Sequence, residues 1–269
     1  MSVADLALVL DWAADEGWNP GTGDAEAFHA ADPQGFFLAV DREKPVAAIS
    51  VVNHSPDFAF LGLYLCLPGY RGRGIGHALW KHALTHAGDR TVGLDGVPDQ
   101  QANYARSGFT LAGRTTRFSG PVDALESPDI RLAAEEDVPA LIDMEAAASG
   151  WRKPAALDAW FRNTPDRTTL VCDRHGSLAG AATVRRCRSG SKIGPLVASD
   201  ETVAGNLIAH AATRFGNQIV IDVPSSSAGQ ERLCGALHLA PGFQTARMYR
   251  GPFPATCADH FAVSTLELG

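Results

Sequence analysis

Between Leu61 and Ala87 the chain concentrates residues suited to chemistry. An apolar run, Leu61-Gly62-Leu63-Tyr64-Leu65-Cys66-Leu67, halts at Pro68-Gly69, and Tyr70-Arg71-Gly72-Arg73-Gly74-Ile75-Gly76 follows. Behind it Ile75, Ala78, Leu79 and Ala83 recur at helical spacing. A strand, a basic glycine-rich turn and a helix together offer backbone N–H groups and a helix N-terminus to a phosphate. Glycine permits positive φ and close approach, and two arginines add charge-assisted hydrogen bonds. The plainer reading is a structural turn with two solvated arginines. Further on, Thr91-Val92-Gly93-Leu94 reads as a short strand ending at Asp95-Gly96-Val97-Pro98. Asp99 to Ser107 then reads as a helix, with Asp99 as N-cap and Gly108 as its C′ residue. Tyr104 on that helix could donate a proton, or could simply anchor the helix to the sheet.

Two common nucleotide loops fit poorly. A P-loop needs Lys and then Ser or Thr after its second glycine, whereas Gly74 is followed by Ile75-Gly76. A Rossmann turn needs a third glycine where Leu79 stands, although Asp95 lies near the ~20-residue distance of the ribose-binding acid. The pattern Arg71-x-x-Gly74-x-Gly76 after a strand ending at Pro68, with Tyr104-Ala105-Arg106-Ser107-Gly108-Phe109 behind it, resembles the GCN5-related N-acetyltransferases (the GNAT superfamily). The resemblance implies acetyl-CoA as co-substrate, its pyrophosphate held by Arg71, Gly72, Arg73, Gly74, Ile75 and Gly76. It also implies that the backbone of Leu65, Cys66 and Leu67 hydrogen-bonds the acetyl and pantetheine groups, and that Tyr104 protonates the departing thiolate. Transfer is then direct, in a ternary complex, with Cys66 structural and no metal. One departure is Val97, where many members carry an asparagine.

The second half repeats the first in faded form. Phe37-Leu38-Ala39-Val40-Asp41-Arg42 is echoed by Thr169-Leu170-Val171-Cys172-Asp173-Arg174, and at the same offset Leu61-Gly62 falls on Ile193-Gly194. Asp95-Gly96-Val97-Pro98 resembles Asp222-Val223-Pro224, Gly108-Phe109 resembles Gly242-Phe243, and Phe118-Ser119-Gly120-Pro121 resembles Tyr249-Arg250-Gly251-Pro252. Arg71, Gly74 and Gly76 land on Val203, Asn206 and Ile208, and His238 stands where a tyrosine would be sought. With Asp200 and Glu201 in that turn, the second copy is expected not to bind CoA. The fold class expected is α/β (α+β): two tandem GNAT-like domains, each a mixed, mostly antiparallel sheet flanked by helices. The boundary falls in the Gly- and Pro-rich stretch from Ser119 to Asp129, giving domains 1–124 and 125–269. Ala4 to Glu16 reads as an opening amphipathic helix with at most a fragment of strand before it.

Composition bounds the rest. The chain has 269 residues, 45% of them apolar, with a net charge of −7, which argues against nucleic acid as a partner. No apolar run reaches the ~18–20 residues of a membrane span, and Asp5 and Asp11 interrupt the first helix, so neither a membrane nor a signal peptide is expected. Five cysteines without a Cys-x-x-Cys pair suggest reduced thiols and a cytoplasmic home. His82 and His86, four apart on a predicted helix, read as a solvated face.

An alkylamine acceptor (pKa ~10.4) is protonated at neutral pH, so a base must act before attack. Asp95 and Asp24 are candidates, each also readable as a turn or cap residue. The loop Glu16-Gly17-Trp18-Asn19-Pro20-Gly21 should cover the acceptor, with Trp18, Asn19 and Asp24 as substrate-binding residues and Trp151, Arg152 and Trp160 as further wall. The expected activity is acetyl transfer from acetyl-CoA to a primary amine, of a small molecule first. A non-catalytic acetyl-CoA sensor and a protein lysine or N-terminal acetyltransferase remain alternatives.

Overall fold

The computed structural model describes every residue except His175, Ser226, Ser227, residues 254–256 and Ala258. The first half opens with α1 (Val3–Asp15), begun by a capping box between Ser2 and Asp5 and burying Leu6, Val9, Leu10 and Ala13 on one face. No strand precedes it; instead the Met1 amine donates to the Phe36 carbonyl at 3.0 Å. Then follow α2 (Asp24–Ala31), β1 (Phe36–Asp41), β2 (Lys44–Asn53), β3 (Phe58–Cys66), α3 (Ile75–Leu84), β4 (Thr91–Gly96), α4 (Gln101–Arg106) and β5 (Thr110–Pro121). The second half runs β6 (Ile130–Leu132), α5 (Val138–Ser149), α6 (Pro154–Phe161), β7 (Arg167–Arg174), β8 (Ser177–Arg186), β9 (Ser191–Ala198), α7 (Glu201–Phe215), β10 (Gln218–Pro224), α8 (Ala228–Ala236), β11 (Ala240–Arg250) and β12 (His260–Ala262).

The two halves share one twelve-stranded sheet, ordered β1-β2-β3-β4-β11-β5-β10-β9-β8-β7-β6, with β12 beside β9. Each half has therefore lent its last long strand to the other: β11 lies between β4 and β5, and β5 lies between β11 and β10. An aspartate and an arginine fasten each exchange. Asp95 of β4 takes Arg247 of β11 together with the hydroxyls of Thr115 and Thr245. Asp222 of β10 takes Arg117 of β5 in a two-point pair at 2.7 and 2.9 Å.

Strand alternation divides the core. Ala47, Ile49 and Val51 of β2 face α3, packing with Leu79, Trp80 and Tyr104. Ala48 and Val52 face the opposite layer, where Leu6 and Phe28 of the first half meet Leu157, Trp160 and Val171 of the second. Helices α7 and α8 cover β8, β9 and β10. Among the described residues no helix is long and apolar enough to cross a membrane.

β3 and β4 run parallel from Phe58–Thr91 to Leu61–Leu94 and then part. β3 bulges there, with Leu63 at φ 46°. The corresponding gap between β9 and β10 is filled: His260 and Ala262 of β12 pair with Val197 and Leu196, and Val263 N donates to the Asp222 carbonyl at 3.0 Å. The chain then crosses both repeat glycines. A Cβ on Gly194 would overlap Val263, and one on Gly62 would overlap the Glu267 carbonyl.

The structure re-registers two of the sequence equivalences. Val203, Asn206 and Ile208 lie inside α7, whose N-cap is Asp200, so the second copy has lost its basic turn by deletion rather than substitution. Phe109 N donates to Tyr104 O and Gly108 N to Ala105 O, just as Leu239 N donates to Cys234 O and His238 N to Gly235 O. The counterpart of Gly108 is thus His238 (φ 55°), and that of Tyr104 is the buried Cys234. Gly242-Phe243 lies further along, in β11.

Candidate active site

The parted ends of β3 and β4 open into a cavity of about 610 Å³. Its wall combines Gly72, Gly74, Ile75 and Gly76 of the turn and the start of α3 with Leu65 and Cys66 of β3, Tyr104 of α4, and Trp18, Phe243 and Glu267. Gly72 and Gly74 sit at φ 74° and 80°, where a side chain would be strained, and Gly74 is the N-cap of α3 without a side-chain cap. Among the described residues no protein acceptor takes the backbone N–H groups of Gly72 through His77. A helix N-terminus with its donors free and its cap reduced to glycine fits an anion such as a pyrophosphate. The matching end of α7 is closed: Asp200 places its own carboxylate on Val203 N at 2.8 Å.

The two arginines of the turn are held differently. Arg71 donates through Nε to the Cys66 carbonyl at 2.8 Å and pairs with Glu16, while Arg73 lies over the Tyr70 ring at 4.9 Å and outside the cavity wall. Leu67 also stays off the wall, its N–H donating to the Val46 carbonyl. Cys66 lines the cavity with only a carbonyl near its thiol, at 3.8 Å.

Tyr104 is 8% exposed, stacked on Trp80 with ring centroids 5.6 Å apart, and set against Gly96, where any Cβ would strike its ring. Its hydroxyl takes no protein partner among the described residues. Burial, with Tyr64 nearby, pushes its pKa up to about 12, so the phenol is neutral and a hydrogen-bond donor across the physiological range.

Beneath Trp18 lies a buried charge cluster that joins the halves. Arg117 and Lys192 both donate to the Trp18 carbonyl, at 2.8 and 3.1 Å, and both approach Asp222. Arg185 pairs with Asp24. Burial alone would raise the Asp222 pKa, but Lys192 and Arg117 hold it below the usual carboxylate range. Asp222→Ala strands two buried cations, so it should cost about 3–5 kcal/mol. In a thermal melt that is a Tm lower by roughly 6–20 °C at 2–4 °C per kcal/mol. The depressed pKa fixes the pH sign: the contribution is complete above the unfolded value near ~3.9 and is lost as pH falls through the folded value. Wild type should therefore lose its advantage over the variant in acid; a constant gap from pH 7 to pH 3 would argue against the pairing.

Several residues expected at the acceptor have other partners. Asn19 bridges to Ser189, its amide donating to the Ser189 carbonyl at 2.8 Å and accepting from its N–H at 3.2 Å. Asp24 is fully buried, holding Gly21 N and Arg185. Asp95 reaches the wall, but its carboxylate is filled by Arg247, Thr115 and Thr245, which removes it as a base. Trp151 stacks on Phe58 at 4.1 Å, Trp160 donates to the Gly194 carbonyl, and Arg152 pairs with Asp143; all three lie off the cavity. His86 is no free surface group, since it meets Asp32 at 2.7 Å. Of the loop expected over the acceptor, Glu16 and Trp18 line the space, whereas Asn19 and Asp24 do not. The second half contributes Phe243 and Thr245 of the exchanged strand, with Leu266 and Glu267 after β12. Nothing local in the sequence marked Thr245, Leu266 or Glu267, and Phe243 stood out only as the echo of Phe109.

Comparisons with known proteins agree with this architecture. The acetyltransferase (GNAT) family profile matches residues 6–109, and the acetyltransferase (GNAT) domain profile matches residues 141–261. The holothin acyltransferase of Pseudoalteromonas sp. (strain SANK 73390) is 33% identical over 273 residues, covering 100% of this chain and 92% of its own length. A putative acetyltransferase from Pyrococcus horikoshii shares the fold with a TM-score of 0.83 at 19% identity, over 100% of this chain and 94% of that one. The tandem GNAT protein from the clavulanic acid biosynthesis pathway does so at 0.61 and 18% identity, over 94% and 96% of the two chains. With a GNAT match in each half and an acyltransferase relative along its whole length, the chain belongs to the GCN5-related N-acetyltransferase family of acyltransferases, as a tandem of two GNAT domains.

Proposed function

We propose that the chain transfers an acetyl group from acetyl-CoA to a primary amine of a small molecule, by direct attack in a ternary complex. The supporting observation is the single cavity joining the free N–H groups of Gly72–His77 to the unpartnered hydroxyl of Tyr104. Acetyl-CoA supplies the activated acyl group. The turn and the start of α3 hold its pyrophosphate, and the free edge of β3 beyond the bulge aligns the arm along Leu65 and Cys66. Tyr104 donates a hydrogen bond to sulfur as the carbon–sulfur bond opens. A phenol near 12 gives up its proton to a thiolate (thiol pKa ~8.5) unfavourably, so donation of a hydrogen bond fits better than complete transfer. Trp18 and Phe243 flank the acceptor in a largely apolar cleft, which favours a small acceptor of apolar body. The holothin acyltransferase relative makes holothin the first acceptor to test. A cytoplasmic setting belongs to the same reading.

The decisive assay follows thiol release from acetyl-CoA against a panel of amines that includes holothin, small aliphatic and aromatic amines, and lysine peptides. Release with none of them would leave the chain a binder of acetyl-CoA. Binding has its own expected result. At a hundredfold excess over Kd, acetyl-CoA should stabilise the protein by about 2.7 kcal/mol, a Tm rise of roughly 5–10 °C. Gly74→Glu, which puts a carboxylate and a strained φ at the cap of α3, should abolish the rise. Calorimetry should find one site per chain, because β12 fills the second gap and Asp200 caps α7; two sites would overturn that reading.

A further inference from the structure

Glu267 is 3% exposed, and neither of its carboxylate oxygens accepts a hydrogen bond from any described residue. No lysine or arginine reaches it as an ion pair among those residues. Burying a carboxylate without partners is strongly unfavourable, and such a group calls for an explanation. Its surroundings supply one. Glu267 lines the same cavity as Tyr104, Leu65 and Trp18, directly over Gly62 and beside the bulge at Leu63. The segment carrying it is fixed: Leu268 N donates to Thr265 Oγ1 at 2.8 Å, Gly269 N to the Thr265 carbonyl at 3.1 Å, and His54 meets the Leu268 carbonyl at 2.8 Å. Charged and titratable groups facing it are Arg117 of β5, Arg185 of β8, Cys187 just beyond it and Lys192 of β9. The three cations are already engaged with Asp24 of α2 and Asp222 of β10. Asp95 and Asp222 are thus occupied carboxylates and Asp24 is engaged through Oδ2 alone, whereas Glu267 has both oxygens without a partner among the described residues.

We propose that Glu267 is the base for the acceptor, a small amine of apolar body seated against Trp18, Phe243 and Leu266. This rests on the acyl-transfer reading above. The amine nitrogen bonds to the acetyl carbonyl carbon, and the carbon–sulfur bond breaks with its electron pair on sulfur. The N–H proton passes to a Glu267 oxygen and on to solvent, from which the thiolate is finally protonated. Trp18 and the cluster beneath it shape the wall, and the carboxylate orients the N–H.

The test compares wild type with Glu267→Gln, which keeps the volume, and Glu267→Asp, which keeps the charge but withdraws it by one methylene. Acetyl-CoA should still raise the Tm of both variants. With the amine that the panel identifies, Glu267→Gln should lose about 100-fold or more in kcat, the scale of general base catalysis, and Glu267→Asp should fall between. Formate should restore part of the rate to Glu267→Ala. Turnover by a folded Glu267→Gln within about threefold of wild type overturns the assignment, since a base is worth far more. If wild type acylates no amine, the functional reading fails separately, and Glu267 is read from the acceptor-free hydrolysis of acetyl-CoA, where water replaces the amine. Equal hydrolysis by wild type and both variants would then overturn it.

Discussion

Residues 1–124 expressed alone should fail to fold, as should residues 125–269, while the two fragments produced together should assemble into one soluble particle. The cause is the exchange of β5 and β11. In the first fragment β4 loses β11 along Val92 to Gly96, and β5 loses neighbours on both sides. Backbone groups left without partners at a sheet centre are costly, and unpaired strand edges aggregate. Nor could β5 simply close on β4. It would have to move one strand spacing, ~4.8 Å, with Arg117 left without Asp222 and Asp95 without Arg247. The layer under β2 would open as well, because Phe28 stacks on Trp160 of the other half. The intact chain should for the same reason melt in one transition by circular dichroism. A dispersed amide spectrum and a cooperative melt from residues 1–124 alone would show that β5 can return to its own half.

What could be read from the sequence was local. Gly72 and Gly74 announce positive φ and Gly108 closes a helix, since each depends on neighbours a few residues away. The start of that helix was misplaced: Asp99 lies inside a 3-10 turn (Pro98–Gln100), and Gln100 rather than Asp99 stands at the N-cap of α4. The repeat was legible at Leu61-Gly62 and Ile193-Gly194 because both glycines yield to the same crossing segment. It was misaligned at α7 and α8, where the deleted turn shifts the register that a fixed offset assumes. The exchange left no trace in the sequence: β5 and β11 have the pattern of strands whichever half they join. Nothing in the sequence marked Arg117 or Lys192, and Asp222 stood out only as the echo of Asp95; the three are buried together only because the halves meet over them. Glu267 was invisible for the same reason, far along the chain from Gly62, which it covers.

Tyr104→Phe should lower kcat by about 10²–10³-fold, the range for losing one preorganised hydrogen-bond donor to developing charge, and leave acetyl-CoA binding almost unchanged. The phenyl ring keeps the stack on Trp80 and the fit against Gly96, so only the donor to sulfur is removed. Stability separates this from an anchoring role. A hydroxyl that held α4 to the sheet would be hydrogen-bonded, and its loss would cost about 0.5–1.5 kcal/mol. The Tyr104 hydroxyl has no protein partner among the described residues, so the Tm of Tyr104→Phe should match wild type. The pH profile adds a third mark. With the pKa raised to about 12 by burial and by Tyr64, ionisation of Tyr104 should produce no fall in rate below pH ~10, where a solvent-exposed tyrosine would already titrate. A loss below roughly tenfold would mean that the thiolate departs without this donor. A large drop in Tm with a matching drop in rate would assign Tyr104 to the scaffold, and both quantities should be measured on one preparation.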